Sequence, residues 1–73
     1  MARFKIESEI AGNVWKIEAK EGDHVDDEDV IMILESMKME IPVLASESGK
    51  IVEIHVAEGD NVAENQLLVT LEN

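Results

Sequence analysis

One ungapped internal duplication constrains this chain more than any other feature. The segment from Gly12 to Val25 matches the segment from Gly49 to Val62, and Val30-Ile31-Met32-Ile33-Leu34-Glu35 falls on Leu67-Leu68-Val69-Thr70-Leu71-Glu72. The offset is 37 residues throughout, as in Gly12/Gly49, Gly22/Gly59 and Leu34/Leu71. Chance rarely keeps glycines and apolar faces in a single register, so the two copies share one structure. A chain of 73 residues has room for one small core. Residues 1–73 therefore read as a single domain, whose interior must be closed by both copies together.

Each copy reads as β structure. Trp15, Ile17 and Ala19 alternate with Lys16, Glu18 and Lys20, and Val52, Ile54 and Val56 alternate with Glu53 and His55. That period of two sends one row inward and the other to water. On this reading Trp15 fills the core, as does its mate Val52. Glu-Gly-Asp then breaks each strand, because Gly22 and Gly59 take positive φ at little steric cost. The apolar runs that follow place Val30, Met32, Leu34 and Leu67, Val69, Leu71 in the core row. Adding Arg3 to Ser8 and Met39 to Leu44 gives six strands, with short ones near Val25 and Val62, and no helical periodicity is sustained. Pro42 lacks an N–H, so its strand is an edge or is interrupted there. The expected fold is all-β: a flattened barrel or sandwich of two antiparallel four-stranded sheets with internal pseudo-twofold symmetry, its two halves packed face to face.

The linking segment from Ser36 to Ser48 has no counterpart for Lys38. Glu35-Ser36-Met37-Lys38-Met39-Glu40 must pass from one strand to the next within very few residues. A hairpin tip at Met37-Lys38 is the economical solution, yet tight turns favour Asn and Gly. One continuous strand stays open as the alternative.

Charge narrows the function classes. With 17 acidic and 6 basic residues the net charge is −11, which phosphate backbones and anionic membrane surfaces repel. Neither nucleic acid nor membrane is an expected partner. There is no cysteine, no apolar run of signal-peptide or membrane length, and no Ser-His-Asp arrangement or Gly-rich phosphate loop. The expectation is a cytoplasmic, monomeric protein with no catalytic residues and no metal. His24 and His55 fall at non-equivalent repeat positions and read as surface residues. Asp26-Asp27-Glu28-Asp29 lacks the alternating ligands of a calcium loop and reads as a solvated turn.

Glu35-Ser36-Met37-Lys38-Met39-Glu40 resembles the attachment motif of the biotinyl/lipoyl attachment family, in which Met-Lys-Met follows a small residue and a Glu at a strand end. Gly12-Asn13-Val14-Trp15-Lys16 and the Glu-Gly-Asp-x-Val turns resemble that family's repeated elements, so the likeness covers nearly everything after Ser8. It is close to free-standing biotin/lipoyl attachment proteins and to carrier domains of biotin-dependent carboxylases. Three departures stand out: Ser36 where Ala is usual, Ile10-Ala11 before Gly12, and Glu28 at a turn position where the family often has Gly. If that turn needs positive φ, Glu28 carries strain of roughly 1–3 kcal/mol, which its mate Asn65 tolerates better.

The resemblance implies a carrier that is itself a substrate. A biotin protein ligase would activate biotin as its adenylate, and the Lys38 amine would attack the acyl group to form an amide, with Glu35, Ser36, Met37, Met39 and Glu40 as flanking recognition. The thioethers of Met37 and Met39 would form an apolar collar for the ligase pocket. Biotin on that flexible arm would then serve biotin carboxylase and carboxyltransferase components in turn, tethering raising its local concentration. Lipoate on the same lysine is the alternative cofactor, although lipoyl domains typically show Asp-Lys-Ala and the methionines here favour biotin. An unmodified interaction module is the alternative of a different class.

Overall fold

The computed structural model describes residues 2–73, in which eight strands form: β1 (Arg3–Glu7), β2 (Gly12–Ile17), β3 (His24–Val25), β4 (Val30–Ser36), β5 (Met39–Leu44), β6 (Gly49–Ile54), β7 (Asn61–Val62) and β8 (Leu67–Glu72). They make two four-stranded sheets, ordered β1-β8-β6-β3 and β5-β4-β2-β7, with every pairing antiparallel. The offset of 37 carries β1 onto β5, β2 onto β6, β3 onto β7 and β4 onto β8, and so carries one sheet onto the other.

The halves do not pack face to face as separate layers. Each lends two strands to each sheet, so β1–β8, β2–β7, β3–β6 and β4–β5 all pair across the boundary between copies. Strand edges that one copy would leave open are satisfied by the other. The Glu-Gly-Asp turns lock this exchange. Gly22 N–H donates to Ile51 O and Gly59 N–H to Val14 O, each at 2.8 Å. Glu58 Oε2 accepts from Ile17 N–H at 2.9 Å, and Glu21 Oε2 accepts from Ile54 N–H at 3.0 Å. Each turn thus caps a strand of the opposite copy. Gly22 and Gly59 have φ of 94° and 93°, as turns of this kind require.

The interior is built from Ile31, Met32 and Leu34 of β4 and Leu68, Val69 and Leu71 of β8, with Val14 and Ile51 between them. Four expectations fail here for one reason. Trp15 is half exposed rather than core and its mate Val52 only partly buried, while Val30 faces water beside a buried Ile31 and Leu67 is only partly buried beside a buried Leu68. A β-bulge lies at each place: Val14 pairs with Leu34 and Lys16 with Ile33, leaving Trp15 as the extra residue. The β4–β5 register likewise skips Ile31. Bulges shift the alternation by one residue, so Val14 and Ile31 take the inward places. The same two bulges recur at Val52 and Leu68. Past the bulge the expected rows hold, with Ile17, Ala19, Ile54 and Val56 packed against the core.

Glu28 does adopt positive φ, at 72°, and Asn65 matches it at 69°. Both turns make the same contact, Glu28 N–H donating to Ala45 O and Asn65 N–H to Ser8 O. A side chain without Asn's tolerance for this conformation is strained by about 1–2 kcal/mol. Glu28→Asn is therefore expected to raise stability by about 0.5–1 kcal/mol, read as a higher urea midpoint with unchanged slope. A lower midpoint would show that Glu28 contributes something this backbone account omits.

Candidate functional site

β4 and β5 form a two-residue hairpin with Met37-Lys38 at its tip. The pairs Ser36↔Met39, Glu35↔Glu40 and Leu34↔Ile41 run up to it, which removes the continuous-strand alternative. Met37 has φ of 52° and Lys38 of 66°. Two successive positive values mark a type I′ turn, the geometry that matches strand twist. Neither residue suits it. Each non-glycine residue in this region costs about 1–2 kcal/mol, so the tip holds strain that the paired strands below must offset. The anchor is Leu34, 1% exposed and four residues before Lys38.

That geometry fixes what the side chains can do. Met37 is 92% exposed and Met39 63%, so neither packs in the core. Lys38 is exposed, and among the described residues it joins no ion pair or side-chain hydrogen bond. Glu35 and Glu40 face one another across the ladder, two carboxylates with no cation paired to either among the described residues. Ser36 is half buried beneath the tip. The hairpin brings together all six residues expected of the site. Its chemistry is that of a primary amine on an exposed residue at the hairpin tip. An amine so placed fits covalent acylation. Among the described residues none bonds the amine, so the chain supplies no base of its own there.

Gly12 is a positioning residue that the motif alone did not reveal. A Cβ built there would lie 2.5 Å from the Glu35 carbonyl oxygen and 3.3 Å from Ser36 Cβ. β2 therefore approaches the base of the hairpin closely because its first residue has no side chain. The recurrence of Gly49 at the equivalent place was the available signal. There the added Cβ would meet Glu72 O at 2.8 Å, one residue from the chain's last residue. Gly12→Ala is expected to cost about 1–3 kcal/mol by overpacking and to slow acylation of Lys38. Gly49→Ala should cost less, since its closest contact is 2.8 Å against 2.5 Å at Gly12, and should leave labelling unchanged, since Glu72 lies on the sheet that lacks the hairpin. Unfolding midpoints and labelling rates of the two variants test this, and equal effects on labelling would remove Gly12's special role.

His24 and His55 lie on the surface, His24 beside Asp26 at 3.4 Å and His55 bonded to Thr70 Oγ1 at 2.9 Å. The run Asp26–Asp29 closes on itself as a turn, with Asp26 N–H donating to Asp29 Oδ2 at 2.9 Å. No group of three or more His, Asp or Glu among the described residues is arranged to hold a metal.

Comparison with known proteins agrees with this geometry. The family model described as "Biotin-requiring enzyme", that of biotin/lipoyl domains, matches residues 5–71. The biotin/lipoyl attachment protein of Bacillus subtilis is 46% identical over 65 residues, covering 89% of each chain. The biotinylated protein TB7.3 homolog of Mycobacterium leprae is 38% identical over 66 residues, covering 90% of this chain and 93% of its own. Among solved structures, Kluyveromyces lactis urea carboxylase superposes with a TM-score of 0.92 at 36% identity, over 99% of this chain and 6% of that much longer one.

Proposed function

This chain belongs to the biotin/lipoyl attachment family, and we propose that within it the protein is a monomeric, cytosolic biotin carrier, acylated on Lys38 by a biotin protein ligase and serving a biotin-dependent carboxylase without catalysing a step itself. One observation carries the reading: an exposed lysine at the tip of a strained hairpin, flanked by two methionines that the core does not use. Of the five lysines, only Lys38 occupies such a tip. Lys5, Lys16 and Lys50 lie within strands, and Lys20 precedes a Glu-Gly-Asp turn.

The chain's own residues divide the work. The β4–β5 ladder holds the amine away from the body, where a ligase pocket can surround it. Met37 and Met39 offer polarisable apolar surface on both sides of the amine. Amide formation joins Lys38 Nζ to the acyl carbon, expels the activating group and releases a proton to the ligase. It also removes the lysine's positive charge. When bound, biotin supplies a ring nitrogen that accepts and donates a carboxyl group. The carrier's part in that cycle is transport on a tether, so its own affinity for each enzyme need not be high. A carboxylase containing biotin carboxylase and carboxyltransferase components is the partner this requires.

Lipoate on the same amine is the second reading, because the Bacillus subtilis relative bears both cofactors in its name. Parallel incubations with biotin protein ligase, biotin and ATP, and with a lipoate ligase and lipoate, separate the two. Biotin on Lys38 with little lipoate is the expected outcome, and Met37→Ala and Met39→Ala should slow it. Lipoate alone would reassign the cofactor. No adduct from either ligase would leave an unmodified interaction module.

A further inference from the structure

The pseudo-twofold provides an internal control, since the fold asks the same shape of both sheets but the two outer faces differ in chemistry. Trp15, Val30, Met37, Met39 and Leu44 are the exposed large apolar residues of the described chain, and all lie on the β5-β4-β2-β7 sheet or its hairpin. On that outer face Lys16, Ile33 and Pro42 form one cross-strand row, with Trp15 pushed out beside Lys16 by the bulge. The equivalent positions on the other sheet are Glu53, Thr70, Lys5 and Val52. Ile33 becomes Thr70 and Pro42 becomes Lys5, while the half-exposed indole of Trp15 becomes a valine. The fold is therefore satisfied by Val at this bulge and has no need of Trp.

Charge differs in the same way. On the sheet that lacks the hairpin, the cross-strand pair is Arg3 and Glu72, bonded at 3.1 Å. Its mate is Glu40 opposite Glu35, two negative groups side by side, an arrangement that destabilises a ladder. Lys16, the base on this face, is already matched with Glu18 at 4.0 Å. Thus the face bearing Lys38 keeps an apolar stripe and an acidic rim that no base among the described residues neutralises. A second copy of this chain is a poor occupant, because it would bring the same two carboxylates and a net charge of −11.

We propose that this outer face, Trp15, Ile33 and Pro42 with Glu35 and Glu40 at the rim nearest the tip, is the docking surface for the enzyme that acylates Lys38, and that this enzyme presents an apolar recess bordered by arginine or lysine. The proposal rests on the reading of Lys38 as the acylated residue. Trp15 is its anchor, as buried indoles commonly are at protein interfaces. Trp15 acts by holding the carrier on its partner and takes no part in the acyl transfer.

The test is steady-state biotinylation with biotin protein ligase, biotin and ATP, comparing wild type, Trp15→Val and Val52→Ser. Trp15→Val installs the residue that the fold itself carries at the equivalent bulge. It is expected to keep the wild-type unfolding midpoint and to raise the KM for the carrier about tenfold with little change in kcat. Val52→Ser, on the opposite face, should leave KM unchanged. Trp15 is the sole tryptophan, so its emission should shift to shorter wavelength as ligase is titrated in. An unchanged KM for Trp15→Val on a carrier that is otherwise biotinylated overturns the docking surface and leaves the Lys38 reading intact. Wild-type protein that takes no biotin overturns both. A dimer in sedimentation that Trp15→Val dissolves assigns the face to a second copy and also overturns the proposal.

Discussion

Lys38→Ala and Lys38→Arg are expected to abolish covalent biotinylation of this protein and to leave its stability within about 0.5 kcal/mol of wild type. Both halves of that result follow from the tip. Lys38 joins no ion pair or side-chain hydrogen bond among the described residues, so its removal breaks nothing in the fold. Arginine keeps positive charge and reach but is not deprotonated in proteins, so it offers no free amine to an acyl group. Loss of labelling in Lys38→Arg therefore assigns the effect to nucleophilicity rather than to charge or shape. Lys38→Gly should be equally unlabelled yet more stable by about 1 kcal/mol, because glycine relieves a φ of 66°. Residual biotin on Lys38→Arg would show that another lysine competes.

Leu34→Ala and Leu71→Ala have the largest expected effect on stability. The two residues are 37 apart, occupy equivalent places in β4 and β8, and are 1% and 0% exposed. Truncating a buried leucine removes its transfer free energy and leaves a cavity, for a loss of about 2–5 kcal/mol. A domain of 73 residues has roughly 4–11 kcal/mol in total, so either variant sits near its unfolding limit. Equivalence predicts similar losses for the two, measured by urea unfolding of variants prepared side by side. Labelling separates them. Leu34 anchors the hairpin, so Leu34→Ala should slow acylation at temperatures where it remains folded, whereas Leu71→Ala should not. A loss below about 1 kcal/mol for either would contradict the core described above.

The repeat made much of this structure legible. It placed the strands, both Glu-Gly-Asp turns and the singular position of Lys38, because a constant offset demands that equivalent residues meet equivalent surroundings. Sheet membership was not legible. Nothing in the offset says whether a copy keeps its strands together or exchanges them, and that choice is decided by backbone pairing across the boundary. Bulges escaped alternation for a related reason. Val14-Trp15 and Ile51-Val52 each set two apolar residues side by side, as do Ile31-Met32 and Leu68-Val69, and a period-two reading must drop one of each pair. It kept Trp15, which alternates with Ile17 and Ala19, whereas the ladder buries Val14. The tip was half legible: strand economy argued for it while Met-Lys argued against. Its strain is the physical mark of a position kept for something other than folding.

The central claim is that Lys38 is an attachment point for biotin. Intact-mass measurement of the protein purified from its native host, followed by fragmentation of the peptide containing Met37-Lys38-Met39, tests it most directly. The account predicts one biotinyl group per chain, placed on Lys38 and on no other lysine. An unmodified Lys38 in cells with an active biotin protein ligase, or a lipoyl group in its place, would contradict it.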